Sequence, residues 1–413
     1  MTIILVRQRT EVPAIDGMIA GMVAVERDAA FLTLVTGGAG LGRYDCALHV
    51  LAEGELVANG VFWAEWASRR FVGLPVQAAA VARHPHPTVV VSINPAIPAQ
   101  AAAGERIAYH ADLAGRPLEV LEVEQDGGIF AVRSPGETAV LSRWTRDKFG
   151  RPLRLDGRPA IDASRTLHLL LVGDESLLRD TYPANIAALG DAAEHFRLDL
   201  EFSFWNPRNE PLGRIAPALD GVDGIVLPGG SDMEQVPGQI DVAQLAIRRD
   251  IPTVGLCLGM QTMATAVARE IGGYNDANME EADPAAQIKT FIRLRDEHGR
   301  PEFRLGLRRT RVVPGTVLST IFDGAAEVEV HCNHRYVLDP ALHDALGATG
   351  LALSAMQKDR NFADAVEVSS LRFFVGMQGH PELMSRRGVP QPLLTAFLRA
   401  AGEFQPSAPL QPQ

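Results

Sequence analysis

Apolar runs alternate with amphipathic stretches through the second half of the chain. From Thr166 onward, strand-like runs such as LHLLLVG, DGIVLPGG and TVGLCLG are separated by stretches of helical periodicity such as QIDVAQLAIRRD and QTMATAVAREIGG. Strands alternating with helices of this length predict a parallel sheet with helices on both faces. Residues 166–404 are therefore predicted to form an α/β domain.

The pattern before this domain is less regular. Short β-rich runs, among them TIILV, TVVVSI and LEVLEVEQDGGIFAV, are mixed with Ala-rich stretches of helical character. Residues 1–145 are predicted to form a separate, smaller α/β or α+β domain. Residues 146–165, which are rich in charge, Gly and Pro, are predicted to be a linker. The polar, Pro-rich residues 405–413 are predicted to be a disordered tail.

Charge and cysteine content narrow the class of partner. A formal net charge of −11 leaves no basic excess to neutralise phosphates, so neither a nucleic-acid nor an anionic-membrane partner is expected. The sequence contains no run of about 18 apolar residues, so no membrane span is predicted. The three cysteines, Cys46, Cys257 and Cys332, are too scattered for a disulfide framework, which favours a reducing, cytoplasmic location. A small molecule or another protein is the expected partner, and a homo-oligomer is left open.

A cysteine on a tight strand-to-helix turn is the first candidate for chemistry. The apolar run Thr253–Leu256 leads into Cys257-Leu258-Gly259-Met260-Gln261 and then directly into an Ala-rich helix. The sulfur is predicted to lie at the positive end of the helix dipole, which favours the thiolate. A buried cysteine taken alone is more often packing than a nucleophile. Further chemical groups near Cys257 are needed to distinguish a nucleophile from a packing residue.

Two other strand ends supply such groups. After the apolar run FFVGMQ comes Gly379-His380-Pro381-Glu382, in which Glu382 can orient the imidazole of His380 and His380 can take a thiol proton. After DGIVL comes Pro228-Gly229-Gly230, whose backbone N–H groups, with that of Leu258, are candidates to hold an oxyanion. Ligand crevices in open α/β sheets form at the carboxyl ends of strands, where these elements would meet.

At this point the residues resemble those of the class I glutamine amidotransferases, and within that family the glutaminase domain of CTP synthase. Beyond the three strand ends, the resemblance includes NDANMEEADP, FRLG at 303–306, HCNHRY and GMQGHPEL, in the same order and spacing. It covers nearly the whole chain after Thr166. It implies a flavodoxin-like, mostly parallel sheet, and it implies that Cys257 is the nucleophile, His380 the acid and base, and Glu382 the orienting group.

The resemblance also implies a pocket for L-glutamine. Glu281, in the acidic stretch after the helix, would hold the ammonium group of the substrate. Arg335, before the tyrosine of HCNHRY, would pair with the α-carboxylate, for which a planar guanidinium is suited. Gln261 and the backbone near Gly230 and Leu258 would complete the pocket. No cofactor and no metal are implied, and the cluster His331, Cys332 and His334 is not predicted to bind one.

Two departures from the family pattern are visible. Ser231 and Asp232 follow Gly230 where the family has an aromatic residue and glycine, and Gly379 replaces the phenylalanine before the histidine. CTP synthase also carries a longer ATP-dependent domain with a phosphate-binding loop, whereas residues 1–145 contain no G-x-x-x-x-G-K-[ST]. The nearest stretch, GGAGLG at 37–42, lacks the lysine and the hydroxyl group. Full CTP synthase activity is therefore not expected of residues 1–145.

Three functions remain open on these grounds. The leading hypothesis is a CTP-synthase-like amidotransferase that hydrolyses L-glutamine and passes ammonia to an unidentified acceptor, held by the N-terminal domain or by a partner synthase subunit. The second is a stand-alone γ-glutamyl hydrolase. The third is a non-catalytic regulatory module, which has no chemical need for all three of Cys257, His380 and Glu382.

Overall fold

The computed structural model divides into two compact units. Unit 1 comprises Met1–Ala160, Ser176–Ala187 and Ser385–Val389, and unit 2 comprises Ile161–Glu175, Ala188–Met384 and Pro390–Gln413. The described residues are 2–10, 12, 15–35, 49–57, 60–156, 165–209, 215–358 and 360–403. Cys46, the GGAGLG stretch and the predicted tail lie outside them, as do residues 157–164 of the predicted linker.

Unit 1 is built around a seven-stranded sheet with the order β2-β5-β1-β6-β7-β8-β9. Its elements are, in chain order, β1 (Thr2–Gln8), α1 (Met18–Glu26), β2 (Ala30–Leu32), β3 (His49–Val50), β4 (Leu56–Val57), α2 (Val61–Ser68), α3 (Ala78–Val81), β5 (Thr88–Ile93), α4 (Pro98–Leu113), β6 (Leu118–Asp126), β7 (Ile129–Arg133), β8 (Val140–Arg146) and β9 (Pro152–Arg154).

The two halves of this sheet differ in strand direction. Strands β2, β5, β1 and β6 are parallel, whereas β6 through β9 pair antiparallel. Gly127 and Gly128, with φ of 52° and 82°, close the β6–β7 hairpin, because a tight turn of this kind needs positive φ at both central positions. The parallel strands and the helices between them make this part of the chain α/β, one of the two classes predicted for it.

Unit 2 contains a nine-stranded sheet and the helices that cover it. Its elements, together with α5, whose first turn belongs to unit 1, are β10 (Arg165–Val172), α5 (Pro183–Phe196), β11 (Leu198–Trp205), α6 (Ile215–Ala218), β12 (Gly224–Leu227), α7 (Val236–Arg249), β13 (Thr253–Leu256), α8 (Leu258–Glu270), β14 (Phe291–Arg293), β15 (Arg304–Val312), α9 (Val317–Ile321), β16 (Glu327–His334), β17 (Tyr336–Leu338), α10 (His343–Gly347), β18 (Leu351–Gln357), β19 (Ala363–Val368), β20 (Phe374–Met377) and α11 (Pro392–Glu403).

The strands of the nine-stranded sheet follow the order β11-β10-β12-β13-β20-β19-β18-β15-β16. The half from β11 to β20 is parallel, and the half from β20 to β16 is antiparallel. The α/β class predicted for this domain is confirmed, and its parallel half contains the strands predicted from apolar alternation. The antiparallel half is an addition that the alternation of helices and strands does not predict.

Helices cover both faces of the parallel half. Ile225 of β12 packs in one cluster with residues of α7 and α8. Gly224, which points to the opposite face, lies against α11, because a Cβ there would be 2.8 Å from the Phe397 ring. Strands β12 and β13 are consequently buried at every position, which explains their continuous apolar sequence. Among the described residues, the helices include no candidate for a membrane span.

Candidate active site

The register of two neighbouring strands brings Cys257 next to the end of β20. Strands β13 and β20 are parallel, with Leu256 opposite Met377, so the segments that follow these two strands leave the sheet at the same edge. The backbone N–H of Cys257 donates to the carbonyl of Met377 at 2.8 Å. His380 follows three residues later, and its N–H donates to the carbonyl of His331 on β16 at 2.7 Å. Residues more than 100 positions apart in sequence therefore meet because their strands are adjacent.

Cys257 occupies a strained backbone conformation between β13 and α8. Its φ of 53° and ψ of −106° lie where a residue with a side chain is rarely found, at a cost of about 1–3 kcal/mol. The flanking glycines are required by crowding. A Cβ at Gly255 would lie 2.2 Å from Met263 Sδ, and one at Gly259 would lie 1.9 Å from the carbonyl oxygen of Leu227. The strain places the sulfur at the carboxyl edge of the sheet, at the start of a 13-residue helix.

Cys257, His380 and Glu382 form a hydrogen-bonded chain. Nδ1 of His380 lies 2.7 Å from Oε1 of Glu382, and the imidazole also hydrogen-bonds the thiol of Cys257. Burial by itself lowers the pKa of His380, but the charges of Cys257 and Glu382 and the hydrogen bonds to both outweigh it. The pKa of His380 therefore lies well above 6.5. The raised pKa favours the protonated imidazole, and this preference is lost as the pH rises through that pKa.

The turn after β12 lies against the same side chains. A Cβ at Gly229 would be 3.0 Å from Cε1 of His380 and 3.2 Å from Cβ of Cys257. A Cβ at Gly230 would be 4.0 Å from Cδ2 of Leu258. Leu258 is the first residue of α8, so its N–H is one of those that have no partner within the helix. Gly229 thus lies against Cys257 and His380, Gly230 lies near the side chain of Leu258, and Leu258 directly follows Cys257 in the chain.

A pair of glutamine side chains connects the sulfur by hydrogen bonds to helix α8. Nε2 of Gln378 donates to Sγ of Cys257 at 3.8 Å, and Nε2 of Gln261 donates to Oε1 of Gln378 at 3.3 Å. Oε1 of Gln261 is buried and has no partner within the described residues. Sequence reasoning selected Gln261 but missed Gln378. The available sequence signal was a glutamine directly after an apolar strand and two residues before His380, and the structure shows that this side chain is fully buried.

Glu281 and Arg335 are placed by the small β14–β17 ribbon. Arg293 of β14 is opposite Tyr336, which follows Arg335, and the N–H of Arg293 donates to Oε2 of Glu280 at 2.7 Å. The segments that carry Glu281 and Arg335 therefore meet at the same position of the ribbon. The guanidinium of Arg335 also lies 4.7 Å from the centre of the Phe303 ring.

The departures at Gly379 and Asp232 have a structural explanation. A Cβ at Gly379 would lie 2.6 Å from Cγ2 of Val330, so the close pairing with β16 excludes a phenylalanine there. Asp232 accepts from the N–H of Glu234 at the start of a short 3-10 helix and pairs with Arg208 at 2.6 Å. Neither position takes part in the hydrogen bonds among Cys257, His380 and Glu382.

A buried ion pair lies beneath the site, next to Gln378, and this position is called the floor of the site. Arg304 and Asp364 form a bidentate pair with only 5% and 2% of their side chains exposed. The carbonyl of Asp364 accepts from the N–H of Gln378 at 2.8 Å, which connects the pair to the residue that contacts the sulfur. Next to it, burial and the charge of Arg304 lower the pKa of His334 to about 3, so this imidazole is neutral. Burial raises the pKa of Cys332 to about 12, which leaves an unreactive thiol.

Comparisons with known proteins identify the family to which the chain is similar. The family model for glutamine amidotransferase class-I matches residues 177–400. Among curated proteins, the CTP synthase of Paracoccus denitrificans is 33% identical over 315 residues, which cover 71% of this chain and 54% of that protein. The CTP synthase of Nostoc punctiforme is 35% identical over 239 residues, covering 57% and 44%. The chain thus spans about half the length of the curated relatives it matches.

A solved structure extends the similarity to the fold. The glutaminase domain of Trypanosoma brucei CTPS with bound acivicin is 28% identical and superimposes with a TM-score of 0.54, over 59% of this chain and 96% of that one. The matched residues contain Cys257, His380 and Glu382, and the family model covers more than half of the 413 residues. This chain belongs to the class-I glutamine amidotransferase family, and within it is related to the glutaminase domain of CTP synthase.

Proposed function

We propose that the chain hydrolyses L-glutamine to L-glutamate and ammonia, with Cys257 as nucleophile. The observation that carries this proposal is the imidazole of His380, which is hydrogen-bonded on one side to Glu382 and on the other to Cys257, with a raised pKa. An imidazolium stabilises negative charge on a neighbouring sulfur, and a carboxylate behind it fixes the ring orientation. A packing cysteine has no need of either group.

In the proposed reaction, His380 moves one proton at each step. With the thiol proton held by His380, Sγ of Cys257 attacks the γ-amide carbon and forms a tetrahedral oxyanion. The C–N bond then breaks, and His380 returns the proton to the nitrogen. Ammonia departs, and the γ-glutamyl group remains bound to Sγ as a thioester. His380 takes a proton from the water that adds to the thioester, and as the C–S bond breaks it returns this proton to Sγ, which releases glutamate and restores the thiol.

The oxyanion is proposed to lie between Gly229, Gly230 and Leu258. The contacts that support this are those of Gly229 with the side chains of Cys257 and His380, and the position of Leu258 at the first turn of α8. Backbone N–H groups fixed in a turn need no reorganisation as charge develops on the oxygen.

The amino-acid end of the substrate is proposed to bind Glu281 and Arg335, with the buried Oε1 of Gln261 as a further acceptor. A zwitterion removed from water needs one partner of each sign. Replacing either Glu281 or Arg335 with alanine is expected to raise KM for L-glutamine with a small change in kcat, because loss of a desolvated charge partner costs about 2–5 kcal/mol in binding. Initial rates across glutamine concentrations measure this, with Arg309→Ala, which changes an exposed residue of β15, as the control. An unchanged KM in both variants would rule out the assigned roles.

Ammonia is proposed to pass to an acceptor that is bound by the N-terminal domain or by a partner synthase subunit. The supporting fact is the relation to CTP synthases, of which this chain spans about half. The identity of the acceptor is separate from the hydrolytic chemistry, so the two are tested separately.

The direct test is release of ammonia and glutamate from L-glutamine by the purified chain, with N-substituted γ-glutamyl amides as parallel substrates. We expect turnover of L-glutamine. Turnover of the substituted amides alone would instead identify a γ-glutamyl hydrolase. No turnover of any substrate, together with saturable glutamine binding, would identify the non-catalytic module.

A further inference from the structure

Unit 1 has a crevice at the carboxyl edge of its parallel strands. Arg9, Thr10, Val12 and Ile15 follow β1 and line it together with Ala96, which follows β5. Its remaining lining residues are the β-hairpin pair Gln125 and Phe130, Arg146 at the end of β8, and Asp180. All of these belong to unit 1.

The strand connections explain why a crevice forms here. Ile107 and Ala111 of α4 pack with Val89, Val91 and Ile93, on one face of β5. Ser92 points to the opposite face, where its hydroxyl donates to Asp16, just ahead of α1. The chain therefore leaves the adjacent strands β1 and β5 toward opposite faces of the sheet. In open α/β sheets such a divergence at the carboxyl edge creates a ligand crevice.

The charges that line the crevice favour an anion. Two arginines and one aspartate line it, in a chain whose net charge is −11. Arg146 is paired with Asp180 at 2.7 Å, whereas Arg9 makes no ion pair within the described residues. The guanidinium of Arg9 is therefore available, and its planar fork suits a carboxylate or a phosphate group.

The remaining lining residues indicate the body of the ligand. Val12, Ile15 and Phe130 provide an apolar wall, while Thr10 and Gln125 provide hydrogen-bonding groups. The volume is about 460 Å³, within the roughly 300–1,000 Å³ of small-molecule sites. We propose that this crevice binds a small organic anion with an apolar body, held at its charged end by Arg9.

Asp16, next to the lining residue Ile15, does not oppose an anion here. It is buried, and it accepts hydrogen bonds from Ser92 and Gln100 at 3.4 Å each. Burial raises its pKa to about 7 in spite of these bonds, so a large fraction of the carboxyl groups are uncharged near neutral pH.

Calorimetric titration of the whole Cys257→Ser chain with three probes tests the proposal. The probes are benzoate, phenyl phosphate and the neutral benzamide, which share a phenyl body and differ in charge. Binding needs no glutamine turnover, so failure of the proposed glutaminase reaction leaves this test intact. We expect saturable binding of at least one anion and none of benzamide. Benzoate alone would identify a carboxylate site, and phenyl phosphate alone a phosphate site.

Matched variants locate the binding. Arg9→Gln is expected to weaken the binding of the anion about tenfold or more, because it removes the guanidinium that contacts the charged group of the ligand. Arg7→Gln removes the same charge from β1 outside the crevice, where Arg7 lies 3.9 Å from Glu122, and is expected to have no effect. Arg335→Ala is the second control, because it removes the cation proposed for glutamine. Absence of saturable binding, equal binding of benzamide, or equal losses in Arg9→Gln and Arg7→Gln would overturn the proposal.

Discussion

Replacing Cys257 with alanine is expected to reduce the turnover of L-glutamine by about five to six orders of magnitude, which is the scale of removing a nucleophile from a residue triad. Without Sγ no thioester can form, and His380 has no thiol proton to accept. The fold is expected to survive, because alanine retains the Cβ at φ 53° and removes one atom at the edge of the sheet. Ammonia release, measured together with the thermal unfolding midpoint, separates lost chemistry from lost structure.

Cys332→Ala is the matched control for this prediction. It also removes one buried thiol from unit 2, but from a side chain whose pKa burial raises to about 12. We expect its turnover to stay near that of the unchanged protein. Unchanged turnover by Cys257→Ala, or equal losses in the two variants, would show that Cys257 is not the nucleophile.

The largest effect on stability is expected from Arg304. Replacing it with methionine keeps the length of the side chain but leaves Asp364 buried without its bidentate partner. Such a loss typically lowers the free energy of unfolding by about 3–5 kcal/mol. The urea unfolding curve of unit 2 measures it through Trp205, since the other tryptophans, Trp63, Trp66 and Trp144, belong to unit 1.

Two further variants distinguish the effect of losing the ion pair on stability from the effect of changing the side chain of an arginine. Arg309→Met changes the same strand, but its pair with Glu329 is 63% and 46% exposed, so a loss of about 0–1 kcal/mol is expected. The double variant Arg304→Met, Asp364→Leu removes both charges and is expected to recover most of the loss. If Arg304→Met were no more destabilising than Arg309→Met, the pair would not stabilise the floor of the site.

Much of the architecture could be predicted from local sequence. The apolar run before Cys257 predicted a strand that the structure has at Thr253–Leu256, and the Ala-rich stretch after it predicted the helix α8. The hydrophobic period of each element is a local property, because it records which face of the strand or helix is buried. The rule that carboxyl ends of parallel strands share one edge also predicted that the segments bearing Cys257, His380 and Gly229 would meet.

The sequence by itself determined the elements of the parallel half of unit 2, the turn at Cys257 and most of the residues suited to glutamine chemistry. Only the tertiary structure decided which strands are neighbours, because hydrogen bonding between β13 and β20 depends on contacts more than 100 residues apart, and local periodicity carries no record of them. The same order of strands buries Gln378 against the sulfur and joins Arg304 to Asp364. In unit 1, the order of strands directs the segments that follow β1 and β5 to opposite faces of the sheet, and the crevice around Arg9 lies between them. A buried charge or amide is stable only beside its partner, and the partner is a matter of position in space.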